Sequence, residues 1–261
     1  MKTTNNTSTG PRILVWDIES GNLSADLSPI FCCSFKWVGE SKVHSTALWD
    51  FPEYAKHPFN DKRVCQTILD AMNKSDACVA HFGDGFDYPF WKSRLLVNGL
   101  GVPPPIKTID TWKLAKNNLK LTGNRLKGIA KFLKLKEQKG DSGGWETWLE
   151  VMNGNKAAQR KMVKYCNQDV RTLEGVFLAL RPYLNGGPNW SSFLNKQCCP
   201  VCGSNHLIHQ GNIITLTGKV KRMQCKDCGS WSKMRTMANG KTVLTHATVS
   251  ASTFTRNKGR S

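Results

Sequence analysis

The stretch Arg12-Ile13-Leu14-Val15-Trp16-Asp17-Ile18-Glu19 decides how this chain is read. Residues 12 to 17 form a short apolar run, rich in branched side chains, that ends in a carboxylate. This predicts a buried strand that delivers its last residues to a sheet edge. Side chains alternate along extended backbone, so Asp17 and Glu19 point to the same side and can meet one cation. An Asp-x-Glu after an apolar run also arises by chance, so its weight depends on the rest of the sequence.

Outward from that strand, residues 30–38 and 42–49 predict two further strands, joined by a Gly-Glu-Ser turn in an antiparallel meander. Val64, Ile68, Leu69 and Met72 recur at helical spacing across 62–74. Residues 77–82 form another short apolar strand, and 87–98 resume helical periodicity after a glycine-rich turn. The run 99–105 breaks the chain. Helices follow over 110–117 and 124–133, the second with Leu126, Ile129, Ala130 and Leu133 on one face. A flexible loop is expected over 140–144, then helices over 145–152 and 156–184, and Pro188 marks the end of the compact region. Strands followed by helices that return to pack on them give an α/β domain with a mixed sheet.

Composition narrows the partners. The chain has 261 residues, room for one good-sized core and a small appendage. No run reaches the roughly 18 apolar residues that a membrane helix requires. The polar residues 1–10 lack an apolar stretch and read as a disordered leader rather than a secretory signal. Net charge is +18, from 37 basic and 19 acidic residues, which suggests a polyanionic partner with nucleic acid leading. Residues 191–261 are the most basic part, with 11 Lys and Arg against the single acid Asp227. Basicity alone also serves solubility, so more specific residues must decide. Of the ten cysteines, four fall in two Cys-x-x-Cys pairs, which favours metal in a reducing, cytoplasmic compartment. Cys32, Cys33, Cys65, Cys78 and Cys166 lie in apolar surroundings and read as small core filler.

Two further carboxylate motifs follow the first. In His81-Phe82-Gly83-Asp84-Gly85-Phe86-Asp87-Tyr88-Pro89-Phe90 the glycines permit a tight turn from strand to helix. Asp87 then stands near the helix start, where the dipole favours its anionic form. In Tyr165-Cys166-Asn167-Gln168-Asp169, residues 165 and 169 share a helix face one turn apart. Taken singly, Asp87 reads equally as a helix cap and Tyr165 as a half-buried tyrosine beside a surface acid.

The ordered set Asp-x-Glu, Phe-Asp-x-Pro and Tyr-x-x-x-Asp resembles the DEDD exonuclease superfamily, with its RNase H-like (DnaQ-like) fold, in the tyrosine (DEDDy) subgroup. It is particularly similar to the proofreading exonuclease domain of family B DNA polymerases, over roughly residues 11–184. The segments Asn124-Arg-Leu-Lys-Gly-Ile-Ala-Lys-Phe-Leu and Trp145-Glu-Thr-Trp-Leu also look like small phage-encoded exonucleases with a C-terminal zinc ribbon. The resemblance implies that Asp17, Glu19, Asp87 and Asp169 hold two Mg²⁺ or Mn²⁺ ions and that Tyr165 helps position the attacking water. It implies a 3′–5′ exonuclease acting on single-stranded DNA or unpaired 3′ ends, with RNA as the other substrate, in the cytoplasm of a bacterial host if phage-encoded. A polymerase or recombination partner is a further expectation. Asp84 is expected to serve the turn, and His81 to be structural because Tyr165 fills the place a histidine takes in the sister subgroup.

The C-terminal part carries Cys199-Pro-Val-Cys202-Gly203 and Cys225-Lys-Asp-Cys228-Gly229. Four thiolates in two such knuckles satisfy tetrahedral Zn²⁺, and a closed shell of four protein ligands implies structure rather than catalysis. The β-rich residues 208–217 and 219–224 between them fit the hairpin of a zinc ribbon, whose small core requires the metal. Cys198, His206, His209 and His246 are surplus to this set. Lys219, Lys221, Arg222, Lys226, Lys233 and Arg235, interleaved with Trp231, are candidates to bind a strand through phosphate contacts and base stacking. The alternative is that the ribbon docks on the nuclease domain or on another protein.

The expected organisation is therefore α/β: a leader (1–10), an RNase H-like mixed sheet flanked by helices (11–186), a linker (187–196), a zinc ribbon (197–249) and a basic tail (250–261). Two other classes remain open. One is a nucleic-acid-binding protein with a non-catalytic exonuclease-like platform, and the other is an RNase H-like endonuclease or resolvase, which the Tyr-x-x-x-Asp pattern disfavours.

Overall fold

The computed structural model describes residues 11–136, 144–184, 187–194, 196–215, 218–237, 240 and 242–247. The expected leader and basic tail, and most of the loop expected at 140–144, lie outside these residues. The chain divides into two compact units, Met1–Gly187 and Pro188–Ser261.

The first unit is built on a five-stranded mixed sheet of order β3-β2-β1-β4-β5. Its strands are β1 (Ile13–Ser20), β2 (Ile30–Trp37), β3 (His44–Ala47), β4 (Ala77–Ala80) and β5 (Lys107–Asp110). The first three form the expected antiparallel meander, and β4 and β5 continue the sheet parallel to β1. The sequence pattern does not announce four-residue β5, because a parallel strand this short has no room to display a period. The first strand runs three residues beyond Asp17, to Ser20, because β2 continues to pair with it. The third is shorter than expected, since Leu48–Asp50 turns as a 3₁₀ segment in which the Asp50 carboxylate accepts from the Ala47 N–H.

Helices α1 (Lys62–Met72) and α2 (Asp87–Val97) cover one face of the sheet. Trp16, on the face opposite Asp17, meets Trp91 of α2 edge-on, with centroids 5.9 Å apart. Three short helices follow, α3 (Thr111–Asn118), α4 (Leu126–Phe132) and α5 (Gly144–Met152). The 25-residue α6 (Lys156–Leu180) packs on β1 and β2. All of Ile13, Leu14, Val15 and Trp16 are buried, as expected for a strand covered on both faces. The helix ends at Leu180 rather than 184, and Arg181–Tyr183 continues as a 3₁₀ turn around Pro182, which has no N–H to donate. Buried Lys36 of β2 pairs with Glu174 of α6, and Glu174 also accepts from the Gly39 N–H at 2.8 Å.

The second unit begins with a single helical turn, α7 (Trp190–Phe193), inside the stretch read as a linker. Trp190 is buried there, its N–H donates to Pro200 O, and the Asn189 amide reaches Leu244 O at 2.8 Å, so the segment packs within this unit. A four-stranded antiparallel sheet follows: β6 (Leu207–Thr215), β7 (Gly218–Cys225), β8 (Trp231–Thr236) and β9 (Thr242–His246). The sequence announced the first hairpin but not β8 and β9, whose mixed polar residues alternate weakly. No helix among the described residues is long and apolar enough to cross a membrane.

Candidate active site and metal centres

Four elements converge at the C-terminal end of β1. Asp17 and Glu19 lie two residues apart on it, and a register shift in the pairing with β2 falls between Glu19 and Ser20. Such irregularities re-aim side chains near functional sites. Asp87, the first residue of α2, is 4% exposed, and its Oδ1 accepts from the N–H of Ile18, between the two β1 carboxylates, at 3.3 Å. The turn that delivers it depends on Gly83, where a Cβ would stand 2.3 Å from that of Ala80.

From the other side, α6 brings Cys166 to Asp17, with Sγ 3.5 Å from Oδ2. Ligand-type atoms of Asp17, Glu19 and Cys166 lie within 4.8 Å of one another. Tyr165 stacks edge-on against Trp148 of α5 at 6.2 Å, and the Trp148 indole N–H donates to Ser20 O at 3.0 Å. The tyrosine is thereby tied to the end of β1. Asp169, 3% exposed, follows Cys166 by three residues and Tyr165 by four, on the face of α6 that packs against the sheet.

The sequence marks Cys166 as core filler, and it is buried. Its thiol also reaches the carboxylates, and burial, reinforced by Cys32 and by the charges of Asp17 and Glu19, raises its pKa well above the ordinary thiol value. It is therefore a neutral donor beside Asp17 rather than a thiolate. Its place three residues before Asp169 was the available signal. His81 has both ring nitrogens engaged, Nδ1 with Thr111 Oγ1 and Nε2 with Asn124 O, each at 2.9 Å. Asp84 pairs with Lys113 at 2.8 Å.

Two carboxylates this close, with a third bonded to the peptide between them, form a hard-oxygen donor set that suits Mg²⁺ or Mn²⁺. Cys166, protonated and soft, fits such an ion poorly.

In the second unit, ligand atoms of Cys199, Cys202, Cys225 and Cys228 lie within 4.8 Å of one another. The Cys199–Cys228 and Cys202–Cys225 sulfurs are each 3.7 Å apart. A tetrahedron with metal–sulfur bonds of about 2.3 Å has edges of roughly 3.8 Å, whereas a disulfide would bring sulfurs to about 2 Å. Both knuckles close alike: Gly203 and Gly229 have φ of 77° and 76°, and their N–H groups donate to Cys199 O and Cys225 O. The cluster is compatible with a zinc ribbon.

The seven residues expected to contact nucleic acid do not share one surface. Cross-strand pairing sets Arg222 opposite Lys233 and Arg235 opposite Val243, so the three cations lie on one face with Trp231, whose ring lies 4.9 Å from the Arg222 guanidinium. Lys219 and Lys221 alternate onto the other face, and Lys226 stands in the second knuckle. Asp227, the one acid of this region, is engaged by Ser204 and His206.

A family model of the RNase H superfamily matches residues 14–180, and the chain belongs to that superfamily. Among solved structures it is similar to the family B DNA polymerase from the hyperthermophilic archaeon Pyrobaculum calidifontis. The TM-score is 0.53 with 17% identity, over 66% of this chain and 25% of the polymerase. The chain thus corresponds to about a quarter of that protein's length, and the likeness is one of fold. A comparison with curated proteins gives no match. The family assignment and this neighbour bear out the RNase H-like α/β fold expected from the carboxylate motifs, a nuclease fold.

Proposed function

We propose that this protein is a 3′–5′ exonuclease that hydrolyses single-stranded DNA or unpaired 3′ ends, with RNA as the other candidate substrate. The observation that carries this reading is the meeting of Asp17 and Glu19 with the Asp87 carboxylate at the peptide between them. Asp169, on the buried face of α6, completes the proposed ligand set. Two bound Mg²⁺ or Mn²⁺ ions would supply a hydroxide at neutral pH and stabilise charge on the attacking and leaving oxygens.

The chain's own residues do the rest. The four carboxylates hold the cations, and the Ile18 N–H fixes the orientation of Asp87. Tyr165, steadied by Trp148, orients the attacking water through its hydroxyl. The basic surface attracts the phosphate backbone. In the second unit a structural Zn²⁺ is held by Cys199, Cys202, Cys225 and Cys228, and the face bearing Arg222, Trp231, Lys233 and Arg235 contacts nucleic acid. A polymerase or recombination protein is the proposed recruiting partner.

The test incubates the full chain with 5′-labelled oligonucleotides, free or blocked at the 3′ end, in Mg²⁺, Mn²⁺ or chelator. A metal-dependent ladder that shortens from the 3′ end, and is stopped by the block, supports the proposal. Binding without cleavage, or cleavage of a circular strand, overturns it in favour of a binding platform or an endonuclease.

A further inference from the structure

The turn leading into α2 holds an aromatic surface that the cleavage chemistry does not use. Phe82 has a φ of 64°, a left-handed conformation that bulky side chains rarely adopt. Its backbone is clamped from both sides. The Phe82 N–H donates to Asp110 Oδ1 at 2.9 Å, and its carbonyl accepts from the N–H groups of Gly85 and Phe86 at 3.0 Å. Asp110 is itself held by capping α3, through the N–H groups of Trp112 and Lys113.

The clamp keeps the ring in water. Phe82 is 45% exposed, although a relaxed backbone and a buried ring would serve stability better. The ring packs over Gly85, where a Cβ would come within 2.7 Å of it, and meets the half-buried Trp112 edge-on at 5.3 Å. Lys116, one turn further along α3, stands 4.6 Å from the Trp112 ring. An outward aromatic pair flanked by a cation is the combination that receives a base by stacking and its phosphate by charge. Phe82 lies on the turn that runs from β4 into Asp87, and Trp112 opens α3 at the end of β5, the strand paired with β4.

We infer that Phe82, Trp112 and Lys116 form a stacking site for one base of the substrate strand, close to its 3′ end. The inference rests on the proposal that Asp17, Glu19 and Asp87 mark the cleavage point. Stacking is tolerant of base identity, so the site would fix the strand's register without selecting sequence.

The test measures fluorescence anisotropy of a 5′-labelled twelve-nucleotide thymidine strand bound to the full chain carrying Asp17→Ala. Single abasic positions are placed in turn at the last few 3′ nucleotides. One abasic position is expected to weaken binding about tenfold, within the range for one stacked base. In the Phe82→Leu and Trp112→Leu backgrounds the intact and abasic strands should bind alike, and Phe82→Tyr should restore the difference. Because each protein is compared on two strands, a general loss of folding does not imitate this pattern. Lys116→Gln, at an exposed position, should weaken both strands equally. An abasic penalty that survives undiminished in Phe82→Leu, or its absence at every position in the parent, overturns the stacking site. Cleavage by the wild-type chain is scored separately: cleavage without a Phe82-dependent penalty defeats only the stacking site, and a penalty without cleavage defeats only the exonuclease reading.

Discussion

Replacing Asp61 tests whether a buried ion pair holds the first unit together. Asp61 is fully buried at the start of α1, and its two oxygens accept four hydrogen bonds. These come from Ile30 N–H at 2.8 Å, Arg94 Nε at 2.8 Å, Arg94 Nη2 at 2.9 Å and Asn98 Nδ2 at 2.7 Å. The carboxylate has about four acceptor sites, and all are used. Through Arg94 Nη1 the network extends to Ala25 O, in the loop after Glu19. Asp61→Ala would leave a guanidinium that is 13% exposed without its counter-charge, and the Ile30 amide without an acceptor. Removing one partner of a buried pair costs about 3–5 kcal/mol, and an orphaned amide about 1–3 kcal/mol. Water entering the space left by the carboxylate recovers part of this, so a net loss of about 4 kcal/mol is expected. With a urea slope of about 2 kcal/mol/M, the midpoint followed by tryptophan fluorescence should fall by roughly 2 M. Adding Arg94→Met should recover at least about 1 kcal/mol, because the stranded charge is gone. A midpoint shift below about 0.5 M for Asp61→Ala would refute the reasoning.

Three further outcomes follow from the same geometry. Tyr165→Phe keeps the ring against Trp148 and removes only the hydroxyl, so kcat should drop roughly tenfold or more with KM little changed; an unaltered kcat would leave Tyr165 as packing. Changing Cys225 and Cys228 to Ser should release zinc and unfold β6–β9, read by metal content and circular dichroism, and one zinc per chain in the variant would contradict the ligand set. Burial, with the charge of Asp84, pushes the Cys78 thiol up to about 12 from an ordinary 9.0, so the folded state resists its ionisation. Its contribution is complete below pH 9 and is lost as pH rises toward 12, by about 1.4 kcal/mol at pH 10. Urea midpoints from pH 8 to 11 should therefore fall less steeply for Cys78→Ala, and parallel slopes would show that Cys78 is not the group responsible.

Much of the fold was legible because its signals are local. The apolar run ending at Asp17, the periodic residues of α1 and α6 and the paired Cys-x-x-Cys-Gly knuckles each announce their element within a few residues. Elements without such a period are set by pairing and packing. β5 owes its extended form to pairing with β4, and α7 became part of the second unit because Trp190 found a buried position. Cys166 was legible as buried but not as a neighbour of Asp17, which lies 149 residues away in the chain.

The sequence by itself determined the donor chemistry: alternation along a strand sets Asp17 beside Glu19, and the two-residue spacing within each knuckle sets the thiols. Both spacings are written in the chain, since residues two apart share a side once the backbone is extended and a two-residue spacer lets both thiols of a knuckle reach one metal. Only the tertiary structure decided which distant groups share a space. Asp87 met the Ile18 amide, Asp110 held Phe82 in its strained turn, and strand register divided the ribbon's cations between two faces. Those pairings depend on packing between elements far apart in the chain, where no local spacing constrains the outcome.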